Sequence, residues 1–490
     1  MTSTTAALPS GRVDLRLLWK PLVLALYCAT LAIVAYHHEP WVDEAQAWLL
    51  ARDASLPDLF LRYLRLEGTS GLWHALLMPF AKLGLPYWTL RLLTALIATI
   101  AAGLVLWLGP FPPVIRAVIP FTYFLLYQYA VVARSYVLLA PLLFVIAWLL
   151  PRARQKPGIL IALLILLANV SIHGTLAAVG ILAAYSMEVW TDSQSSKRAA
   201  ARRLMICWGV LLLALIALAI ELWPTAKHPF LYHAIGATNF SQRLHRGFKQ
   251  LSEAFSIRLR YAVLPLTMSL FWMARNRMAL YFVLPAALVL AFSSQVYSAL
   301  WHSGILFLLW LFAMWIAGNR SSSTTPRYVW AVWLVMLAPQ IFWAAWASIQ
   351  DIQSPYSGSK ALAENIAPDV AAGKRIAGAG GALLTELQPY FQRNIFENYH
   401  DGHKPAFWLF KPKDLSGSPA SLASQHPDLI VVSLAELQPS EQEQLIHSLS
   451  DAGYGAIREY PGGMVWKSIT PLNDSFLVAR RSAAPGSPQN

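Results

Sequence analysis

Charge is the first thing this chain is short of. Only 13% of its 490 residues are Asp, Glu, Lys or Arg, while 57% are hydrophobic and the mean hydropathy is +0.47. A soluble domain carries about 25% charged residues, so the composition excludes an ordinary globular protein. Cysteine is nearly absent. Cys28 and Cys207 both lie inside apolar runs, which leaves them as packing residues and excludes a disulfide framework or a thiolate metal centre. No internal repeat is visible. The apolar runs carry no ionisable residue near their centres, whereas ion-coupled transporters and flippases need polar groups or broken helices at the midplane. No small-x-small cleavage site precedes His37, so the N-terminal apolar stretch reads as a retained helix, not a signal peptide. The "GAGG" at 378–381 lacks the last glycine of a dinucleotide fingerprint, and no nucleotide is expected there.

What is present is a succession of apolar runs, each about 16–20 residues long, the pattern of a polytopic helical membrane protein. The 20 Trp and 19 Tyr suit aromatic belts at both interfaces. The net charge of +13 does not imply nucleic acid, because the Lys and Arg fall mainly in short loops between runs. The positive-inside rule then orients the chain. Arg12, Arg16 and Lys20 put the N-terminus in the cytoplasm. The stretch 71–83 is too short to cross a core of about 30 Å, so 37–88 stays outside as surface helices. Helices over 89–108, 115–133 and 135–151 follow, and the basic clusters near 152–156, 197–203, 275–277 and 320–327 all fall inside. The count is about eleven spans, the last over 328–347.

Beyond it the composition shifts toward Gly, Pro, Ser and charge. "KRIAGAGG" and "PDLIVVSL" read as strands, and "QPSEQEQLIHSLSDAG" as a capped helix ending at Gly453. The expected architecture is an all-α polytopic membrane domain over 1–349, with surface helices in its first outer loop. A small α/β extracytoplasmic domain over 350–480 and a disordered tail over 481–490 follow.

The outer side collects charges that run against the topology bias. Asp43 and Glu44, in "HHEPWVDEAQAW", are adjacent carboxylates between Trp41 and Trp48. Such a pair just past a span suggests a base acting on a lipid-borne substrate, although acids at a helix N-terminus also favour the dipole. Arg134 ends the third span at headgroup depth, where a guanidinium can grip a phosphate through two hydrogen bonds or simply snorkel. His302, Lys227 and Arg258 are further candidates for the phosphate. Glu67, His173 and Trp41 are candidates for substrate contact. A divalent ion, if one is used, would fall to Asp43 and Glu44; "HHE" at 37–39 is the other metal-like string, but neighbouring residues point different ways.

"WVDEAQAW", the surface helix "GTSGLWHALLMPFAKLGLPYWTLRLLTAL" and "YAVVARSYVLLAPLLF" resemble the GT-C glycosyltransferases. The likeness is to the branch of protein O-mannosyltransferases, aminoarabinose transferases and rhizobial galacturonosyltransferase-like enzymes, and it covers roughly residues 15–350. The chain departs from that pattern at Glu67-Gly68-Thr69-Ser70, where the group often carries a His-Pro-Pro-like turn. The resemblance implies an inverting transferase that takes a sugar from a polyprenyl-phosphate donor to a glycan, lipid or protein acceptor at the outer face of a bacterial inner membrane. It favours the first acid, Asp43, as base. The competing expectations are a polysaccharide polymerase or ligase, a lipid-linked glycan flippase, and a non-enzymatic receptor.

Overall fold

The computed structural model describes residues 15–482 apart from 68, 193–195, 224–238, 257, 297–298, 322–325, 411–414, 416 and 468. Lys227 and residues 483–490 therefore lie outside the described residues. The chain is mostly helical, with a small sheet near its C-terminus.

Among the described residues, seven helices are long and apolar enough to cross a membrane. They are α1 (Leu15–His37), α4 (Thr89–Leu108), α5 (Leu139–Leu149, extended by tight turns to Ser135–Arg152), α7 (Ile172–Asp192), α8 (Lys197–Leu222), α12 (Gly304–Arg320) and α13 (Arg327–Gln353). Shorter helices stand among them: α6 (Pro157–Ala168), α9 (Phe240–Phe255), α10 (Leu259–Arg275) and α11 (Leu280–Gln295). Two more, α2 (Val42–Asp53) and α3 (Leu72–Lys82), fill the first long connection. α3 matches the short apolar stretch at 71–83. α2 is no surface float, because eight of its residues from Glu44 to Ala51 are buried.

The expected continuous helix over 115–133 does not form. The chain there breaks into Pro113–Val118, a tight turn at Ile119–Phe121 and a wide turn at Tyr123–Gln128, and then runs without helix to Ser135. Pro120 removes an amide donor and crowds the preceding turn, and Thr122 is extended at ψ 153°. A broken segment inside a bundle must find other partners for its backbone. Those of Ala130, Val131 and Val132 fold back onto the Tyr127 carbonyl, and that of Ala133 reaches the Glu44 carboxylate at 2.6 Å.

The two ends of the bundle differ. Arg91 donates to the carbonyls of Ala35 and His38, both at 2.7 Å, which closes the C-terminal end of α1. His38 in turn meets Asp351 at the end of α13. About 22 Å further along α7 from His173, by a helical rise of 1.5 Å per residue, Glu188 receives Arg154 and Arg320.

The C-terminal region joins the first of these ends. Its four-stranded sheet has the order β1-β2-β6-β3, from Ile376–Ala379, Leu429–Ser433, Phe476–Arg481 and Tyr454–Tyr460. β1 and β2 are parallel, and the other pairings are antiparallel. Both faces are covered, which is why β1 and β2 are buried throughout. Ile376, Leu429, Val431 and Val478 pack on Leu362 and Ile366 of α14 (Ser359–Ala371). Ile430, Val432 and Leu477 pack on Leu445 and Leu449 of α15 (Pro439–Asp451). A separate hairpin, β4 (Gly463–Trp466) with β5 (Ile469–Asn473), leaves the sheet. Its Val465 and Trp466, with Ala406 and Phe407, belong to the core of the membrane domain.

Candidate functional site

Trp41 precedes α2, so Asp43 and Glu44 occupy its first turn, where the exposed amides and the dipole favour acids. Adjacent helical side chains diverge by about 100°, and these two go to separate centres.

Glu44 is sealed. Its side chain is 0% exposed. One oxygen accepts from the Ala133 amide at 2.6 Å. The other takes the Trp41 amide at 3.2 Å and His38 Nε2 at 3.1 Å. The second ring nitrogen of His38 meets Asp351 at 2.8 Å, and the Tyr127 hydroxyl donates to the same Asp351 oxygen at 2.9 Å. Burial alone would strip the His38 proton, but Asp351 and Glu44 outweigh it and lift the imidazole to about 10. His38 is thus an imidazolium clamped between two carboxylates. It ties the exit of α1, the start of α2, the broken segment and the end of α13 into one knot.

Asp43 is open. Its side chain is 37% exposed and pairs with Arg134 at 2.7 Å. The Arg134 guanidinium lies against three aromatic faces, 4.8 Å from the Trp301 centroid, 5.2 Å from Tyr136 and 5.5 Å from Trp41. This stack fixes its plane. Tyr136 and Trp301 both touch His302, and His302 lies 4.2 Å, ring to ring, from His173. His302 Nδ1 accepts from the Ala299 amide at 3.0 Å, and His173 Nε2 meets Ser293 at 3.3 Å. His173 Nδ1 and Trp41 Nε1 are buried with no hydrogen-bond partner among the described residues.

Glu67 completes the group. It accepts from Gln46 Nε2 at 2.7 Å. Burial pushes its carboxyl up to about 7, against the Gln46 hydrogen bond, and the neighbouring Asp43 charge adds to the rise. Gln46 holds the C-terminal region over this face. Its amide donates to the Trp408 carbonyl and accepts from the Trp408 amide, both at 2.8 Å. Asp53 takes the Ala406 amide at 3.2 Å, and the Tyr63 and Phe407 rings pack 4.7 Å apart.

The structure therefore brings Asp43, Arg134, Trp41, Glu67, His173 and His302 into one connected cluster. Glu44 stands behind it with both oxygens occupied. Arg258 is exposed at the start of α10 and touches none of these groups among the described residues. Sequence reasoning missed Asp351, Tyr127, Gln46 and the clamped state of His38, because each depends on a partner far along the chain.

A divalent ion shared by Asp43 and Glu44 does not fit these residues. Their carboxylates take different partners, and among the described residues no group of three or more His, Cys, Asp or Glu could hold a metal. The metal-like "HHE" fails for the same reason, with both His38 nitrogens engaged. Comparison of the chain with protein-family models, with curated proteins and with solved structures gives no match.

Proposed function

We propose that this chain is a glycosyltransferase of the GT-C kind, which moves a sugar from a polyprenyl-phosphate donor to an envelope acceptor at the outer face of a bacterial inner membrane. The observation that carries the reading is the solvent-reachable Asp43 held 2.7 Å from an Arg134 stacked among aromatic rings, at the bundle end that bears the C-terminal region. In this reading the chain crosses the membrane eleven times: the seven long helices, the broken segment from Pro113, and α6, α10 and α11. The N-terminus is cytoplasmic and the C-terminal region is outside.

The chemistry follows from the pair. Asp43 takes the proton of the acceptor hydroxyl as its oxygen attacks the anomeric carbon from the face opposite the phosphate. The bond from that carbon to the phosphate oxygen breaks, its electrons pass to the phosphate, and the configuration inverts. Arg134 exchanges part of its hold on Asp43 for the phosphate and stabilises the charge that builds there. That exchange leaves Asp43 a stronger base at the moment it is needed. Trp41 stacks on that guanidinium, His302 and His173 pack behind the stack, and Glu67 orients a sugar hydroxyl.

The test is mass spectrometry of envelope glycans and lipids from a deletion strain, complemented with the wild-type chain or with Asp43→Asn. The wild type restores a missing sugar and Asp43→Asn, inserted at normal level, does not. Restoration by the variant overturns the assignment of Asp43, and an unchanged envelope in the deletion strain overturns the reading altogether.

A further inference from the structure

A second feature lies behind α2, independent of the transferase reading. Trp48 and Arg52 sit five and nine residues beyond Asp43, so Arg52 faces about 180° away from it round the helix. On that side is a cavity of about 310 Å³, walled by α2, the end of α3, the start of α4 and the C-terminal region. Its lining includes His38, Arg52, Arg91 and Lys360, and no Asp or Glu. Three of those cations have duties. His38 is clamped, Arg52 pairs with Asp53 at 2.7 Å, and Arg91 caps α1. Lys360 is exposed and makes no hydrogen bond or ion pair with the described residues. Tyr87 also lines the cavity. It is only 8% exposed, and its hydroxyl has no hydrogen-bond partner among the described residues.

The rim is apolar. Leu85 is 42% exposed and Trp88 51%. From Trp88 an exposed stripe continues down α4 through Leu92, Leu96 and Ile100, at helical spacing of four. This α4 face flanks α1, whose Ile33 and Tyr36 are exposed as well. A polar, cationic chamber thus opens onto a hydrocarbon-facing track. That is the shape of an amphiphile with an anionic head and an apolar tail.

We propose that this cavity is a binding site for an anionic membrane lipid, with its headgroup phosphate among Lys360, Arg91 and Tyr87 and an acyl chain laid along the Trp88–Ile100 face of α4. The acid beside Lys360 supports this as well as opposing it. Glu39 sits beside Lys360, and burial lifts its carboxyl to about 7 against the pull of Lys360, so near neutrality it repels a phosphate less than a full charge does. A lipid here spans α2, α4 and the C-terminal region, and so fastens that region to the bundle.

The experiment is native mass spectrometry of the full chain in detergent, titrated with phosphatidylglycerol, with phosphatidylcholine of the same acyl chains and with inorganic phosphate. The expected result is retention of phosphatidylglycerol over phosphatidylcholine, with no displacement by equimolar phosphate. Lys360→Ala weakens retention about fivefold, the weight of one cation at an anionic headgroup. Gln392→Trp, which fills the mouth, abolishes it. Lys249→Ala on α9, an equal loss of charge elsewhere, leaves it unchanged. Equal retention of both lipids, equal effects of the two lysine variants, or full displacement by inorganic phosphate each overturns the proposal.

Discussion

Asp43 and Glu44 are neighbours of the same chemical type, and the fold treats them oppositely. Glu44 has no exposure, three hydrogen bonds and a cation clamped beyond it. Asp43 has an open carboxylate and one stacked arginine. The difference is that of a helix turned by one residue. The inward acid satisfies an amide that the broken segment leaves orphaned, and the outward acid stays open beside Arg134. A carboxylate with both oxygens committed serves position, whereas one held by a single exchangeable partner can change partner during a reaction.

Glu44→Ala tests the sealed side and carries the largest expected effect. It strands His38 and Asp351 and leaves the Ala133 amide without a partner. Breaking a buried ion pair costs about 3–5 kcal/mol, and the orphaned amide adds about 1–3 kcal/mol. Loss of a monodisperse peak in detergent chromatography is the expected readout. A variant that remains monodisperse and melts at the wild-type temperature would show that the knot is not what holds α2.

Asp43→Asn tests the open side and inverts the pattern. A partly exposed pair held by one hydrogen-bonded contact is worth about 0–1 kcal/mol, so the melting temperature barely moves, while transfer falls about 10²–10⁴-fold with the loss of the base. Purified protein with a polyprenyl-phosphate sugar and acceptor gives both numbers. A comparable drop in melting temperature would make Asp43 as structural as its neighbour. Arg134→Lys sharpens the same contrast on a smaller scale. Lysine keeps the charge but loses the flat stack and the two-pronged grip, and an intermediate loss of about 10–100-fold is expected, one to two units of 1.36 kcal/mol.

Much of this division was beyond the sequence. α4 at Thr89–Leu108 and α3 at Leu72–Lys82 lie where apolar runs put them, because hydrophobic length and period are local signals. The outward cluster was partly legible too, since Asp43 and Arg134 each sit at the end of an apolar run. The inward knot was not. His38 and Asp351 are 313 positions apart, and Gln46 and Trp408 are 362 apart. Buried polar contacts at such separation have no period to betray them. The helix expected over 115–133 failed for a related reason. Its composition is that of a span, but Pro120 and Thr122 interrupt it, and the break survives because Glu44, from another element, accepts the freed amide.

The dependence on pH sets the knot beside a second buried cation. Lys467, at the tip of the β4–β5 hairpin, donates to the Glu253 carbonyl and lies 4.2 Å from the Trp343 centroid, with Phe124, Trp466 and Tyr123 around it. Burial pulls its amine down to about 7, and the Glu253 charge only partly restores it. His38 is raised and Lys467 lowered, so their linkage to pH has opposite sign. The His38 contribution is complete below its unfolded value of about 6.5 and fades as pH climbs toward about 10. Lys467 binds a proton more tightly unfolded than folded between about 7 and 10.5, so over that window it adds stability as pH rises. In the wild type the two slopes offset each other. Melting from pH 6 to 10 separates them. His38→Gln loses the falling component and melts higher at pH 10 relative to its own value at pH 7 than the wild type does. Lys467→Met loses the rising component and shows the reverse. At pH 7 the methionine variant is as stable as the wild type or more so by up to about 4 kcal/mol, because the cation–π contacts it forfeits, about 0.5–2 kcal/mol, are set against the cost of burying the charge. Parallel pH curves for the two variants would show that neither cation titrates where its surroundings put it.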